Sequence, residues 1–157
     1  MSLQLYDLAG AESERRFSPY CWRTKLALAH KCLAVETIPW RFTDKDMIGF
    51  SGQGRVPVLV DGHKVVSDSL AIATYLEEAY ADRPSLFGSP AGKALARFVN
   101  SWADNVVASG IARLVLMDIY AHLHEKDRTY FRESREKRFG MKLEAVSADR
   151  DTRVVAF

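Results

Sequence analysis

The chain of 157 residues and 17.7 kDa has room for one ordinary domain, or for one small domain and part of another. Apolar residues make up 48% and charged residues 27%, so a hydrophobic core is possible and global disorder is excluded. Lys plus Arg number 22 against 20 Asp plus Glu, a net charge of +2, which argues against nucleic-acid binding and against a polybasic membrane surface. The two cysteines, Cys21 and Cys32, are too few for a disulfide scaffold. No run of about 18 apolar residues exists, so no membrane insertion is expected. The opening MSLQLYDLAG lacks a basic segment and an apolar core, so no signal peptide is expected and the compartment implied is the cytoplasm.

The first eighty residues read as alternating strands and helices. Leu3 to Leu8 is a short strand, and the polar stretch at residues 9–17 a loop. Ser18-Pro19 has the form of a helix start, a capping hydroxyl followed by a first-turn proline. From Tyr20 to Leu33 the period is helical, and Trp22, Leu26, Ala29 and Leu33 are expected to form its buried stripe. Val35 to Trp40 is a second strand. Residues 41–55 read as a loop with one short helical turn, and VPVLV (56–60) as a strand covered on both sides. Asp61-Gly62 signals a tight turn into an antiparallel strand at 64–66. Ser67 is expected to cap a helix running to about Tyr80, with Leu70, Ala73, Leu76 and Ala79 or Tyr80 facing inward.

Residues 82–90, with two prolines and a glycine, form a linker between a unit over 1–81 and a helical unit over 91–157. A long helical region is expected over 91–124, with Gly110 marking a bend or a close crossing. HEKDRT (124–129) reads as a charged break before a second helix from Tyr130 to about Ala148. Two helices do not readily close a core of their own, so the helical unit is expected to be incomplete.

Three segments carry candidate chemistry. Ser18-Pro19-Tyr20-Cys21 lies where a thioredoxin-like fold would hold a two-cysteine redox motif. With serine first, a two-thiol cycle is closed, and a hydroxyl beside free N–H groups remains to hold an external thiolate. Lowering a thiol pKa by two units takes about 2.7 kcal/mol, the order of one charge-assisted hydrogen bond plus the helix dipole. A plain helix cap explains the same residues, and Cys21 and Cys32 read as packed thiols. At Ser67-Asp68-Ser69 the next helix offers hydroxyls, N–H groups and a carboxylate to an amino-acid end. At Val56-Pro57 a cis bond would leave the Val56 backbone free to pair with a peptide-like ligand. Lys45, Gln53 and Arg55 precede it, and any of them suits a second carboxylate. The sequence has no metal-binding motif, and the run Arg132, Arg135, Lys137, Arg138, interleaved with Glu133 and Glu136, suits a solvated helix.

SPYCWRTKLALAHK, RVPVLVDG and SDSLAIATYLEEAY together resemble three segments of the glutathione transferase superfamily. The resemblance implies an α/β thioredoxin-like N-terminal domain, with a mixed four-stranded sheet, followed by an all-α C-terminal domain, here incomplete. It implies glutathione as cosubstrate, a small hydrophobic or aromatic electrophile as partner, and a homodimer. Ser18 matches the catalytic hydroxyl, Val56 the residue that pairs with the cysteinyl unit, Pro57 the cis-proline, and Asp68 and Ser69 the pair that holds the γ-glutamyl end. Tyr20, Lys45, Gln53 and Arg55 fall among the glutathione-binding positions. SPYCWRTKLALAHK and DRTYFRESREKRFG are similar to the bacterial β-etherases, in which glutathione displaces a phenoxide beside an aryl ketone. A non-catalytic glutathione-binding module stays as the alternative.

Overall fold

The computed structural model describes residues 3–157. Four strands, β1 (Leu3–Leu8), β2 (Val35–Trp40), β3 (Val58–Asp61) and β4 (Lys64–Ser67), form one mixed sheet in the order β2-β1-β3-β4. β1 pairs parallel with β2, from Leu3 opposite Val35 to Leu8 opposite Trp40, and antiparallel with β3, with Tyr6 opposite Val58. β3 turns at Asp61-Gly62 into antiparallel β4. β2 lies at an edge, which accommodates Pro39: a proline has no N–H to give to a neighbouring strand. The connection from β1 to parallel β2 carries α1 (Pro19–His30), and α2 (Ser69–Ala79) follows β4.

One core cluster joins sheet to helices through Leu3, Leu5, Leu28, Leu59, Ile72 and Leu76. A second, toward the other end of β1, holds Leu8, Cys21, Trp40, Ile48 and Val58. Each fully buried Leu or Ile contributes about 1.5–3 kcal/mol. The inward stripe of α1 is Cys21, Thr24 and Leu28, spaced three and four apart. The stripe read from hydropathy is displaced by one residue, about 100° of helix. Trp22 and Leu26 are exposed, at 46% and 63%. A small thiol and a threonine form the true core face, and burial of Thr24 is possible because its hydroxyl donates to Tyr20 O at 3.4 Å. The helix stops at His30, and Cys32 is exposed, not buried. On α2 the buried residues are Ser69, Ile72 and Leu76, whereas Leu70 and Ala73 face the groove toward the next helix and Ala79 is exposed.

The helical region opens with a rod of three consecutive pieces: α3 (Pro90–Trp102), a π-helical turn (Ala103–Val107) and α4 (Ala108–Ala121). Ser89 Oγ caps it by accepting from Gly92 N at 3.1 Å, with Pro90 in the first turn. The irregularity falls at the π turn, not at Gly110. Gly110 instead marks a close approach, since a Cβ there would lie 2.3 Å from the Phe157 ring. The chain reverses at His122–His124, and HEKDRT is the first turn of α5 (Glu125–Phe139), not a break. The segment expected as one long helix divides at Gly140, whose φ of 68° terminates α5 in the left-handed conformation. Short helices α6 (Leu143–Val146) and α7 (Arg150–Ala156) follow. Leu116, Leu123, Phe131, Leu143 and Val146 form the core here, and Phe17 and Phe42 pack against both this cluster and that around Trp40. Among the described residues no helix is long and apolar enough to cross a membrane, and no group of three His, Cys, Asp or Glu is arranged to hold a metal ion.

Candidate functional site

The three segments singled out in the sequence meet at one end of the sheet. The antiparallel register of β1 and β3 brings the start of β3 beside the end of β1, and β4 ends where β3 begins, with Ser67 opposite Val58. The loop after β1 leads to Ser18, Val56-Pro57 leads into β3, and Asp68-Ser69 follows β4. Two helix N-termini, those of α1 and α2, thus open at this edge, and each presents amide N–H groups with partial positive charge.

Ser18 caps α1 with backbone φ −71° and ψ 120°, and its Oγ accepts from Cys21 N at 3.3 Å. The residue is 5% exposed. An accepting hydroxyl still has its proton to donate. Burial pushes the Cys21 thiol up to about 12; the nearby Ser18 hydroxyl and Leu8 backbone pull it down, and Asp7 pushes it further up. Cys21 therefore stays a neutral thiol at physiological pH, which disfavours a redox role through this residue alone. Tyr20 stands at the surface, 36% exposed, with the Arg23 guanidinium 5.1 Å from its ring centre.

Val56-Pro57 is a cis peptide bond, and Pro57 is buried. Among the described residues the Val56 N–H and C=O have no hydrogen-bond partner in the protein, because regular pairing starts at Val58. Of the basic and amide candidates in the preceding loop, Lys45 Nζ donates to Gly54 O at 2.6 Å and lies 4.8 Å from the Trp40 ring centre. Gln53 Nε2 donates to Arg55 O at 2.6 Å. Arg55 is exposed and has no acidic partner among the described ion pairs.

Asp68, not Ser67, caps α2: its Oδ1 accepts from Leu70 N at 2.9 Å and Ala71 N at 3.0 Å. Ser67 is the last residue of β4. Asp68 takes φ 78° and ψ 133°, a conformation that costs a non-glycine residue about 1–3 kcal/mol and is concentrated at functional sites. Its second carboxylate oxygen is not used in the cap. Ser69 is 5% exposed and lines a groove of about 270 Å³ between α1, α2 and α3, shared with Arg23, Ala73 and Asn100. Ser18 and Val56 do not line that groove.

Two supports of this edge escaped the sequence reading. Asp7, fully buried, pairs with Arg16 at 3.2 Å and Lys25 at 2.9 Å, and so ties the loop before Ser18 to β1 and α1. A charged residue at the end of an apolar strand was its one signal. Asp127, also fully buried, reaches across from α5: it accepts from Phe42 N at 3.1 Å, Thr43 N at 3.0 Å and Thr43 Oγ1 at 2.7 Å. Next to it Lys126 pairs with Asp44. Asp127 thus holds the segment that starts the turn carrying Lys45, and within a charged run nothing in sequence set it apart.

A mixed β2-β1-β3-β4 sheet with a capped helix after β1, a cis-proline entering β3 and an all-helical continuation defines a thioredoxin-like unit joined to a helical one. The family model described as glutathione S-transferase, N-terminal domain, matches residues 13–84, and that for the C-terminal domain matches residues 94–157. The chain is 37% identical over 109 residues to glutathione S-transferase Z2 of Arabidopsis thaliana, covering 66% of this chain and 47% of that protein. It is 33% identical over 129 residues to glutathione S-transferase 1 of Dianthus caryophyllus, covering 79% of this chain and 53% of that protein. A glutathione S-transferase of Ceriporiopsis subvermispora, solved in complex with glutathione, superimposes with a TM-score of 0.85 at 28% identity, over 99% of this chain and 67% of that one. The chain belongs to the glutathione S-transferase superfamily. It spans about half the length of the two plant relatives.

Proposed function

We propose that this chain binds glutathione at the edge where Ser18, Val56 and Asp68 meet, and turns its thiol into a nucleophile. Ser18 Oγ–H donates to the sulfur, and the α1 N-terminus favours its negative charge. The free Val56 N–H and C=O pair with the cysteinyl backbone. Asp68 and Ser69 receive the γ-glutamyl end, Tyr20 flanks the ligand, and Lys45, Gln53 or Arg55 meets the glycyl carboxylate. The thiol loses its proton, a carbon–sulfur bond forms at an electrophilic and aromatic substrate, and the leaving group departs with its electron pair. In the narrower form of this reading, supported by the β-etherase-like segments around Ser18 and Tyr130, the leaving group is a phenoxide.

The observation that carries the reading is the convergence of a helix-capping hydroxyl, an unpaired backbone at Val56 and a strained acidic cap at one end of the sheet. Ser18→Ala is expected to lower kcat for thioether formation with an aryl halide by about 100-fold, as when one donor to a developing anion is removed. Ser18→Thr should recover part of the loss. Equal rates in the native protein and Ser18→Ala would refute the catalytic role. The burial of Ser18 favours one second reading, a module that binds glutathione without turnover. Retention on immobilised glutathione with no thioether or phenol released would establish it. A homodimer is part of the proposal, supported by the exposed apolar stripe Leu95, Phe98, Val99, Trp102 and Val106 along the rod.

A further inference from the structure

The basic run on α5 is not uniformly solvated. Arg132 pairs with Glu136 at 3.1 Å and Glu144 at 2.8 Å. Arg135, one turn on, is half-buried and has no carboxylate within ion-pair distance among the described residues. Among the described residues its one side-chain hydrogen bond is to Ser134 Oγ at 3.0 Å. The guanidinium instead lies over two rings, 4.7 Å from the centre of Phe131 and 5.4 Å from that of Phe42. Several other buried or partly buried cations are satisfied differently. Arg16, Arg23, Lys25 and Lys31 each face a carboxylate, while Arg41 and Arg153 are capped by carbonyl oxygens.

Arg135 thus offsets its desolvation with two aromatic faces and one neutral hydroxyl, and with no opposite charge. Its charged form is disfavoured first by burial and then, against a favourable Tyr130, by the positive charges of Arg138 and Arg55. An entering carboxylate would relieve all three effects. Aromatic contacts connect this position to the candidate site. Phe42 also packs against Phe17, ring centres 6.4 Å apart, and Phe17 precedes Ser18. Tyr130, 40% exposed and 6.2 Å from Phe42, offers a further aromatic surface beside it.

We propose that Arg135 is a specificity-determining residue that holds a carboxylate on the aromatic acceptor substrate, with its ring against Tyr130 and Phe42. This rests on the transferase reading above, and it narrows the electrophile to aromatic acids. A guanidinium meets a carboxylate through two parallel N–H donors, a geometry a lysine does not reproduce.

The test pairs a chloronitrobenzoate with its methyl ester, using the full chain and Arg135→Met, which keeps volume over the two rings, with thermal unfolding as the folding control. By calorimetric titration the native chain should bind the acid more tightly than the ester. Arg135→Met should lose about 10- to 100-fold for the acid and little for the ester, with Arg135→Lys in between. Binding is read without turnover, so a failed transferase assay beside a retained acid preference would sink the catalytic reading and leave the carboxylate site standing. Equal affinity for acid and ester, or equal loss of both in a folded Arg135→Met, would overturn the proposal. So would a rise in KM confined to glutathione and absent with its glycyl ester, since the carboxylate would then belong to glutathione.

Discussion

The sheet unit and the helical rod use apolar residues in opposite ways. Around the sheet, Leu5, Leu28, Leu59, Ile72 and Leu76 are fully buried, and the charges that go inside are paired. On α3 no residue is buried, and Leu95, Phe98 and Trp102 stand 62%, 70% and 53% exposed. The core of the later helices is completed partly from outside, by Phe17 and Phe42. A sheet with helices packed on it closes on itself, whereas a helix with apolar residues on more than one face requires several neighbours. The seam between the two regions is therefore where stability and the candidate site meet.

The largest effect should come from cutting that seam. Asp127→Ala leaves two backbone N–H groups and the Thr43 hydroxyl without their acceptor, an expected loss of about 3–5 kcal/mol in urea denaturation. Asp127→Asn, which keeps one acceptor oxygen, should lose less. A loss under 1 kcal/mol would mean that water substitutes for the carboxylate and the regions are only loosely joined.

Next, Leu76→Ala in the closed core should cost about 2–5 kcal/mol, and Leu95→Ala on the bare stripe within about 0.5 kcal/mol for a lone chain. If a second copy covers the stripe, Leu95→Ala becomes costly and stability rises with protein concentration. A concentration series of melting curves separates the two cases, and a flat series would rule out the homodimer.

A smaller effect is pH-dependent. Partial burial raises the Glu77 carboxyl, but the Ser85 hydroxyl, Leu86 N–H and buried Lys31 outweigh it and hold it at about 2. A depressed folded-state value adds stability that is present above the ordinary value of 4.5 and lost as pH falls toward 2. Glu77→Gln should thus flatten the acid limb of the stability profile in that window, with no change in slope near neutrality.

Much of the sheet unit was legible before its structure. Strand positions, the Asp61-Gly62 turn, the Ser18 and Ser89 caps and the entry of Pro57 follow from short-range patterns, because turns, caps and alternation are decided within a few residues. The stripe of α1 was misread because a face is chosen by its neighbours: Cys21 and Thr24 point to the sheet, and the more hydrophobic Trp22 and Leu26 do not. The cap of α2 was misplaced by one residue because the strained backbone of Asp68, set by the join to β4, is invisible in composition.

The sequence by itself determined the order of strands and helices in the sheet unit, the absence of a two-thiol motif at the first helix and the three segments that carry the candidate chemistry. Only the tertiary structure decided that these segments share one end of the sheet. It alone distinguished Asp127 from the acids around it and Arg135 from its basic neighbours. Local propensity acts along a few bonds, whereas burial and pairing of a charge depend on residues far off in the chain, such as Thr43 for Asp127 and Phe42 for Arg135.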